Sequence, residues 1–561
     1  MKPRSVSGQA SVRMGRIWWL NSIIDFVNLF PCPVDGKVPC RRFIMTESSH
    51  KYGGRGSNGW LLLLVTVLLT SLLVFILQND SSRVKSNDDQ EILIYCAAGV
   101  KRAVEEIAGK FEQELGVKIA LEYASSGVLA NKLKTDRESG IARADVYIPA
   151  DYVYTERAAS DGLTAESMKV ASWKVVFAMK QDSGDLPVDV DAVLQKNLSI
   201  VLCDPLAGVG RKTKNMLQDS GHWEAIDAAK TATFPTVTEA ALAVKENAGT
   251  HGAFIWDSVA RQFGLKVVEL PELESSKADI SVAVTASTAH PSKALKFARY
   301  LAAPSKGGDI FAAHKYKPID GDAWALKPKL RIDCGGVNRE AIEKTIKEFQ
   351  QREDCIIDVV YAGCGTLVGK MQTGEQGLPD LFMTCDASYL DMIQQKMGNP
   401  FGPDVRISST RIVMLVAKGN PLGIQSVDNL AKSGLRIGTT DPKASTLGAM
   451  SHQIIRETGQ FSAVKENIVM MADTAHTLVQ TMEAGERLDV AMVYEANIQH
   501  LNERFDYVPL QKKYAIAVQN IAANKTTEYP TLAGRLMTRL ASIKSRRRFE
   551  QLGFRWEAAS E

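Results

Sequence analysis

From residue 91 onward, short apolar runs alternate with longer amphipathic ones. "EILIYCA" (91–97) reads as a buried strand. In "VKRAVEEIAGKFEQEL" (100–115), Val104, Ile107, Ala108 and Phe111 recur at helical spacing and give one apolar face. "KIALEYA" (118–124) predicts a strand, "GVLANKLKT" (127–135) a helix and "DVYIPA" (145–150) a strand; "SIVLCDP" (199–205) and "KTKNMLQDSG" (212–221) repeat the order. Such alternation predicts a doubly wound α/β sheet, which takes ligands at the carboxyl ends of its strands.

The pattern occurs twice. "ADVYIPAD" (144–151) has a counterpart in "PDLFMTCD" (379–386). A shift of about 238 residues lays Cys96 on Cys334, Phe111 on Phe349, Ser126-Gly127 on Cys364-Gly365 and Trp256 on Tyr494. It also lays Phe311 on Phe549 and Tyr316 on Phe554, and a slightly smaller shift lays Asp204-Pro205 on Asp441-Pro442. One offset held over two hundred residues predicts two homologous domains, 90–326 and 327–561, each large enough to fold alone. The turn-rich stretch "KPIDGDAWALKPK" (317–329) is the expected joint.

Composition changes this picture at one place. Trp60–Leu77, "WLLLLVTVLLTSLLVFIL", carries no charge and is long enough to cross a bilayer. Arg41, Arg42, Lys51 and Arg55 precede it, so residues 1–59 are expected on the cytoplasmic side and both domains on the periplasmic or extracytoplasmic side. An uncleaved anchor over 60–78 is favoured above a cleaved leader, because "LQNDSS" offers no small-x-small site; Met45 is an alternative start. The formal net charge of +3 on 561 residues gives no sign of a nucleic-acid partner. "KSRRRF" (544–549) reads as a solvated helix end. No Cys lies in a CxxC pair, so neither zinc nor dithiol-redox motifs are supported.

Candidate chemistry sits where strands hand over to helices. These turns are "CAAGV" (96–100), "ASSGV" (124–128) and "DPLAGVGRK" (204–212), matched by "CGGVN" (334–338), "AGCGT" (362–366) and "DPKASTLGA" (441–449). Small residues there let an anion approach the free N–H groups at a helix N-terminus. "GVGRKT" (208–213) lacks the glycine spacing of a nucleotide phosphate loop.

With "SSG" before a Leu-containing helix, "ADVYIPAD", "CDP", "LQDSGHW", "VTEAALAV" and "HGAFIWDSVA" in this order, each half resembles the molybdate-binding protein of ABC importers, a type II periplasmic binding protein. The resemblance implies two lobes closing about a hinge, no cofactor, and an oxyanion such as molybdate or tungstate held by backbone N–H groups and a few hydroxyls. It implies ABC permease and ATPase subunits as partners. Carried onto this chain, it points in the first domain to Gly99, Ser126, Val209, Val237 and Trp256. In the second it points to Val337 (or Gly336 with a gap), Cys364, Leu447, Thr474 (or Asp473) and Tyr494. Ser126 keeps a hydroxyl where Cys364 offers a weak thiol donor, so the first domain is the better oxyanion site by sequence, with Tyr494 arguing the other way.

A tethered sensor or scaffold with one degenerate domain is the alternative. An enzyme would need Cys364 activated by His452 or His476. Cys334, Cys364 and Cys385 each follow a predicted strand and are expected to ring one cleft, as fillers of tight turns or as a disulfide or soft-metal site.

Overall fold

The computed structural model describes residues 91–559 except 142, 375, 486–487, 502 and 511–514. The expected anchor at Trp60–Leu77 lies outside the described residues, and among the described ones no helix is long and apolar enough to cross a membrane. The first half builds two sheets. The outer order of one is Lys317–Pro318, Thr164–Trp173, Ala278–Thr285, Val146–Ile148, Glu91–Ala97, Lys118–Ala124. The other runs Lys230–Phe234, Ile200–Cys203, Gly252–Trp256, Val175–Met179, Lys266–Val268. The strands expected from the apolar runs pair in parallel: Glu91–Ala97 lies between Lys118–Ala124 and Val146–Ile148. The helix Lys101–Leu115 buries Val104, Ile107, Ala108 and Phe111, the face its periodicity marks.

Only Lys174 separates Thr164–Trp173 of one lobe from Val175–Met179 of the other. The second half repeats the plan with one difference. Its corresponding strand, Val405–Ala417, runs unbroken for 13 residues and joins both lobes into one ten-stranded sheet.

The joint between the halves differs from the expected free turn segment. Lys317–Pro318 pairs with Ser172 and Ala171 of the first half, and Ile319 N–H donates to Val170 O at 3.1 Å. The Asp322 carboxylate then accepts N–H groups of Thr531 (2.7 Å) and Leu532 (3.0 Å) at the start of the second half's helix Pro530–Leu540. The turn formers leave backbone and carboxylate groups to satisfy, and both halves supply partners. Trp324 packs edge-on against Tyr300 at 4.9 Å.

Beside this joint lies a buried ion cluster. Glu353, at the end of helix Arg339–Glu353, is 1% exposed and receives two bonds from Arg535 (2.8 and 3.0 Å). Arg299, from helix Pro291–Ala302 of the first half, closes on the same carboxylate at 3.4 Å. Arg352 grips Glu166 of the first half with both guanidinium arms. The two halves are thus fastened through their first lobes.

"KSRRRF" is solvated at Lys544, Arg546 and Arg547, as expected, and departs from that reading only at its buried positions. It lies inside helix Ile543–Gln551, where Arg548 reaches Glu348 at 2.7 Å and Phe549 is fully buried against Phe554. The basic run keeps one apolar position on the core face; Arg548 and Lys544 pair with Glu348 of helix Arg339–Glu353, and Arg546 with Glu550 of its own helix.

Candidate functional site

In the first half the five expected residues meet. Gly99 precedes helix Lys101–Leu115, Ser126 opens helix Ser126–Glu138, Val209 lies in the first turn of Gly208–Asp219, and Val237 opens Val237–Glu246. With Trp256 they line one cavity of about 20 Å³, room for about one water.

The reason is a residue that motif reading passed over. The Trp173 indole stacks on Trp256 at 4.5 Å and 7°, and its Nε1–H donates to Ala150 O at 2.9 Å. A Cβ on Gly99 would lie 3.0 Å from the Trp173 ring and 2.9 Å from Val237. The lobes also clasp each other directly. Gly127 N–H donates to Leu206 O at 2.9 Å, the Tyr154 hydroxyl donates to the same oxygen at 3.3 Å, and Arg211 pairs with Asp151. The Ser126 hydroxyl accepts the Ala150 N–H at 3.0 Å, so its acceptor side is already used.

The second half carries a cleft of about 340 Å³ at the matching place. Gly336, Val337, Asp473, Thr474 and Tyr494 of the expected set line it, whereas Cys364 and Leu447 do not. Cys364 is fully buried, with its Sγ accepting the Cys385 N–H at 3.0 Å, as Ser126 accepts from Ala150. Leu447 turns into the core at 1% exposure, and Ser445, absent from the sequence expectation, lines the cleft before that helix.

Strand register explains the difference in volume. Val175 pairs with Trp256, and Ile412 pairs with Tyr494. Two residues earlier stand Trp173 in the first half and Thr410 in the second. The short Thr410 side chain accepts the Ala496 N–H at 3.2 Å and leaves the space an indole fills in the other half. The Arg211–Asp151 latch is lost, since Ala449 follows Gly448 where Arg211 follows Gly210, but a backbone clasp between the lobes persists: Thr366 N–H donates to Ala444 O at 3.2 Å.

Four helices present their N-terminal ends to this cleft: Arg339–Glu353, Cys364–Thr373, Thr446–Glu457 and Ala475–Glu483, through Val337, Gly363, Ser445 and Thr474. Their first-turn N–H groups and dipoles favour negative charge. Gly363 is needed where it stands, because a Cβ would meet Ala444 O at 2.3 Å. At the rim Arg339 bonds Glu343 at 2.7 Å and covers the Tyr361 ring at 5.1 Å, while Glu340 and Asp473 also line the cleft, so carboxylates outnumber the cation and the attraction for an anion rests on the helix ends alone.

At the cleft floor the Tyr494 hydroxyl is buried and has no hydrogen-bond partner among the described residues; the Thr446 hydroxyl is in the same condition. Burial pushes the Tyr494 phenol well above its ordinary value, so it stays protonated and keeps its O–H available to donate. The Cys385 thiol is held below its ordinary value by the Cys364 thiol, while burial pushes Cys364 well above.

Of the three expected thiols Cys364 and Cys385 come together and only Cys385 reaches the cleft, while Cys334 is buried and bonds the neighbouring Gly335 carbonyl. All six described cysteines are free thiols, and among the described residues no three His, Cys, Asp or Glu side chains are grouped to hold a metal. His452 is buried against Phe461 and Thr439, and His476 lines the cleft; neither is hydrogen-bonded to Cys364.

The family model for bacterial extracellular solute-binding proteins matches twice, over residues 92–316 and 330–555. The molybdate-binding protein ModA of Escherichia coli is 28% identical over 239 residues, 41% of this chain and 90% of that protein. ModA of Mycobacterium tuberculosis is 24% identical over 200 residues, 35% of this chain and 73% of that protein. Among solved structures, the periplasmic molybdate-binding protein of Azotobacter vinelandii covers 40% of this chain and 98% of its own, with 20% identity and a TM-score of 0.34.

Proposed function

We propose a function from one premise: the chain belongs to the bacterial extracellular solute-binding protein family, in both of its halves. It captures a small oxyanion, or a ligand bearing one, in the second half and delivers it to an ABC importer from the extracytoplasmic side. The observation that carries this reading is the Tyr494 hydroxyl, buried and without a partner among the described residues, at a cleft fed by four helix N-termini. Burying a polar group without a partner is unfavourable, and a bound anion would supply the acceptor. Val337, Thr474 and Tyr494 would line the ligand, with Ser445 and Cys385 beside them. Cys364 and Leu447 would act from behind by holding the two helix starts.

Molybdate and tungstate are the first ligands to try, because curated relatives are molybdate-binding proteins. The volume of about 340 Å³ also admits an anion with an organic substituent. In the first half, Gly99, Ser126, Val209, Val237 and Trp256 would form the degenerate counterpart, closed by Trp173 and the Arg211 latch. That reverses the preference drawn from Ser126 alone. It also favours, as a second reading, a tethered scaffold or sensor in which the first half only positions the second. A permease and ATPase encoded beside this chain would favour transport, and a signalling neighbour would favour the second reading.

The test is a thermal-shift screen of the full chain against molybdate, tungstate, sulfate, phosphate and a sugar phosphate. A true ligand at a hundred times its Kd is expected to add about 2.7 kcal/mol of stability. No shift with any of these anions would sink the anion reading.

A further inference from the structure

The second-half cleft differs from its counterpart in one further respect: sulfur replaces oxygen and methyl at its floor. Where the first half has Ser126 and Ala150, the second has Cys364 and Cys385, joined by the same bond from backbone N–H to side chain at 3.0 Å. Both sulfurs crowd Gly335. A Cβ there would lie 2.3 Å from the Cys385 Sγ and 3.1 Å from the Cys364 Sγ, so glycine alone lets them sit together. Both residues belong to one lobe, following the strands Ile356–Ala362 and Leu381–Met383, and no lobe movement separates them. Cys385 lines the cleft and Cys364 lies fully buried behind it. One sulfur is therefore reachable by a small solute and the other only through the first.

We propose that Cys385 is a modification site, oxidised by a hydroperoxide that enters the cleft and resolved by Cys364 to a disulfide. The proposal deepens the reading of the second half as the anion-binding half, since the thiols share its cleft. In the first step the Cys385 sulfur attacks one peroxide oxygen. The S–O bond forms, the O–O bond breaks, and the thiol proton leaves with the alcohol or water: Cys385–SH and ROOH give Cys385–SOH and ROH. In the second step the Cys364 sulfur attacks the Cys385 sulfur. The S–O bond breaks, and hydroxide leaves as water with the Cys364 proton. The two electrons lost by the thiol pair reduce the peroxide. Extracytoplasmic compartments sustain such bonds. The depressed Cys385 thiol and its cleft position suit it as the attacking sulfur. A disulfide has no S–H to donate, and drawing the sulfurs to an S–S bond of about 2.05 Å shifts the start of helix Cys364–Thr373. Both changes weaken anion capture.

The experiment uses the full chain, reduced and then treated with hydrogen peroxide. Peptide mapping is expected to find Cys364 linked to Cys385, with Cys96, Cys203 and Cys355 outside the link. Molybdate affinity, by titration calorimetry, is expected to fall about tenfold and to return with dithiothreitol. In Cys364→Ser, which restores the residue type found at Ser126, oxidation is expected to stop at a Cys385 sulfenic acid that dimedone captures. Full alkylation of both thiols after peroxide and unfolding would overturn the proposal, and so would dimedone labelling of wild type equal to that of Cys364→Ser. A reduced chain that ignores molybdate would count against the anion reading, while the linked peptide still decides the thiol pair.

Discussion

Replacing Glu353 by alanine is expected to remove about 3–5 kcal/mol of stability, because it leaves the Arg299 and Arg535 guanidiniums buried with no carboxylate between them. Three guanidinium nitrogens of this pair already lack partners among the described residues: Arg299 Nε, Arg299 Nη2 and Arg535 Nη1. The cluster therefore stands close to its tolerance. Urea unfolding of the full chain reads the loss directly, as an earlier midpoint of the first transition. Replacing the whole cluster together, with Arg299→Met, Glu353→Leu and Arg535→Met, is expected to cost far less, since apolar groups of similar size need no desolvation offset. A single-variant loss below about 1 kcal/mol would show that the triad is not what fastens the halves.

The second large effect concerns binding. Tyr494→Phe deletes one buried donor and leaves the ring in place against the core. A hydrogen bond to a charged group is worth about 1.5–3 kcal/mol, so the anion's Kd is expected to rise about ten- to a hundredfold with little change in stability. The stability arm matters, because among the described residues the hydroxyl has no partner to lose. Titration calorimetry beside thermal unfolding separates the two. An unchanged Kd would remove Tyr494 from the site.

Much of the fold was legible because it is written in local periodicity. Val104, Ile107, Ala108 and Phe111 mark a helix face by spacing alone, and all four are buried. The repeat was legible because pairs such as Trp256 and Tyr494 occupy the same strand end in both halves. The gathering of Gly99, Ser126, Val209, Val237 and Trp256 was legible for the same reason: helix starts at strand ends converge in such a sheet.

What decides cleft volume was not. Trp173 sits in a strand, not a turn, and reads as an ordinary β-sheet aromatic until the register places it on Trp256. The signal was available in principle, since a shift one residue shorter than the main repeat offset carries Trp173 onto Thr410. The ion cluster was hidden differently. Glu353 ends the strongly charged helix "REAIEKTIKEFQQRE", where an acid looks solvated, and its partners lie 54 and 182 residues away. Ser445 was missed because motif matching fixed on Leu447, two positions on, which packs inward.

The central claim is that the second half, not the first, holds the anion. Anomalous diffraction at the molybdenum edge, from crystals of the full chain grown with molybdate, tests it most directly. One peak per chain is expected in the second cleft, between Thr474 and the Tyr494 hydroxyl, with nothing beside Ser126. A peak between Ser126 and Trp256, with none at Tyr494, would contradict it.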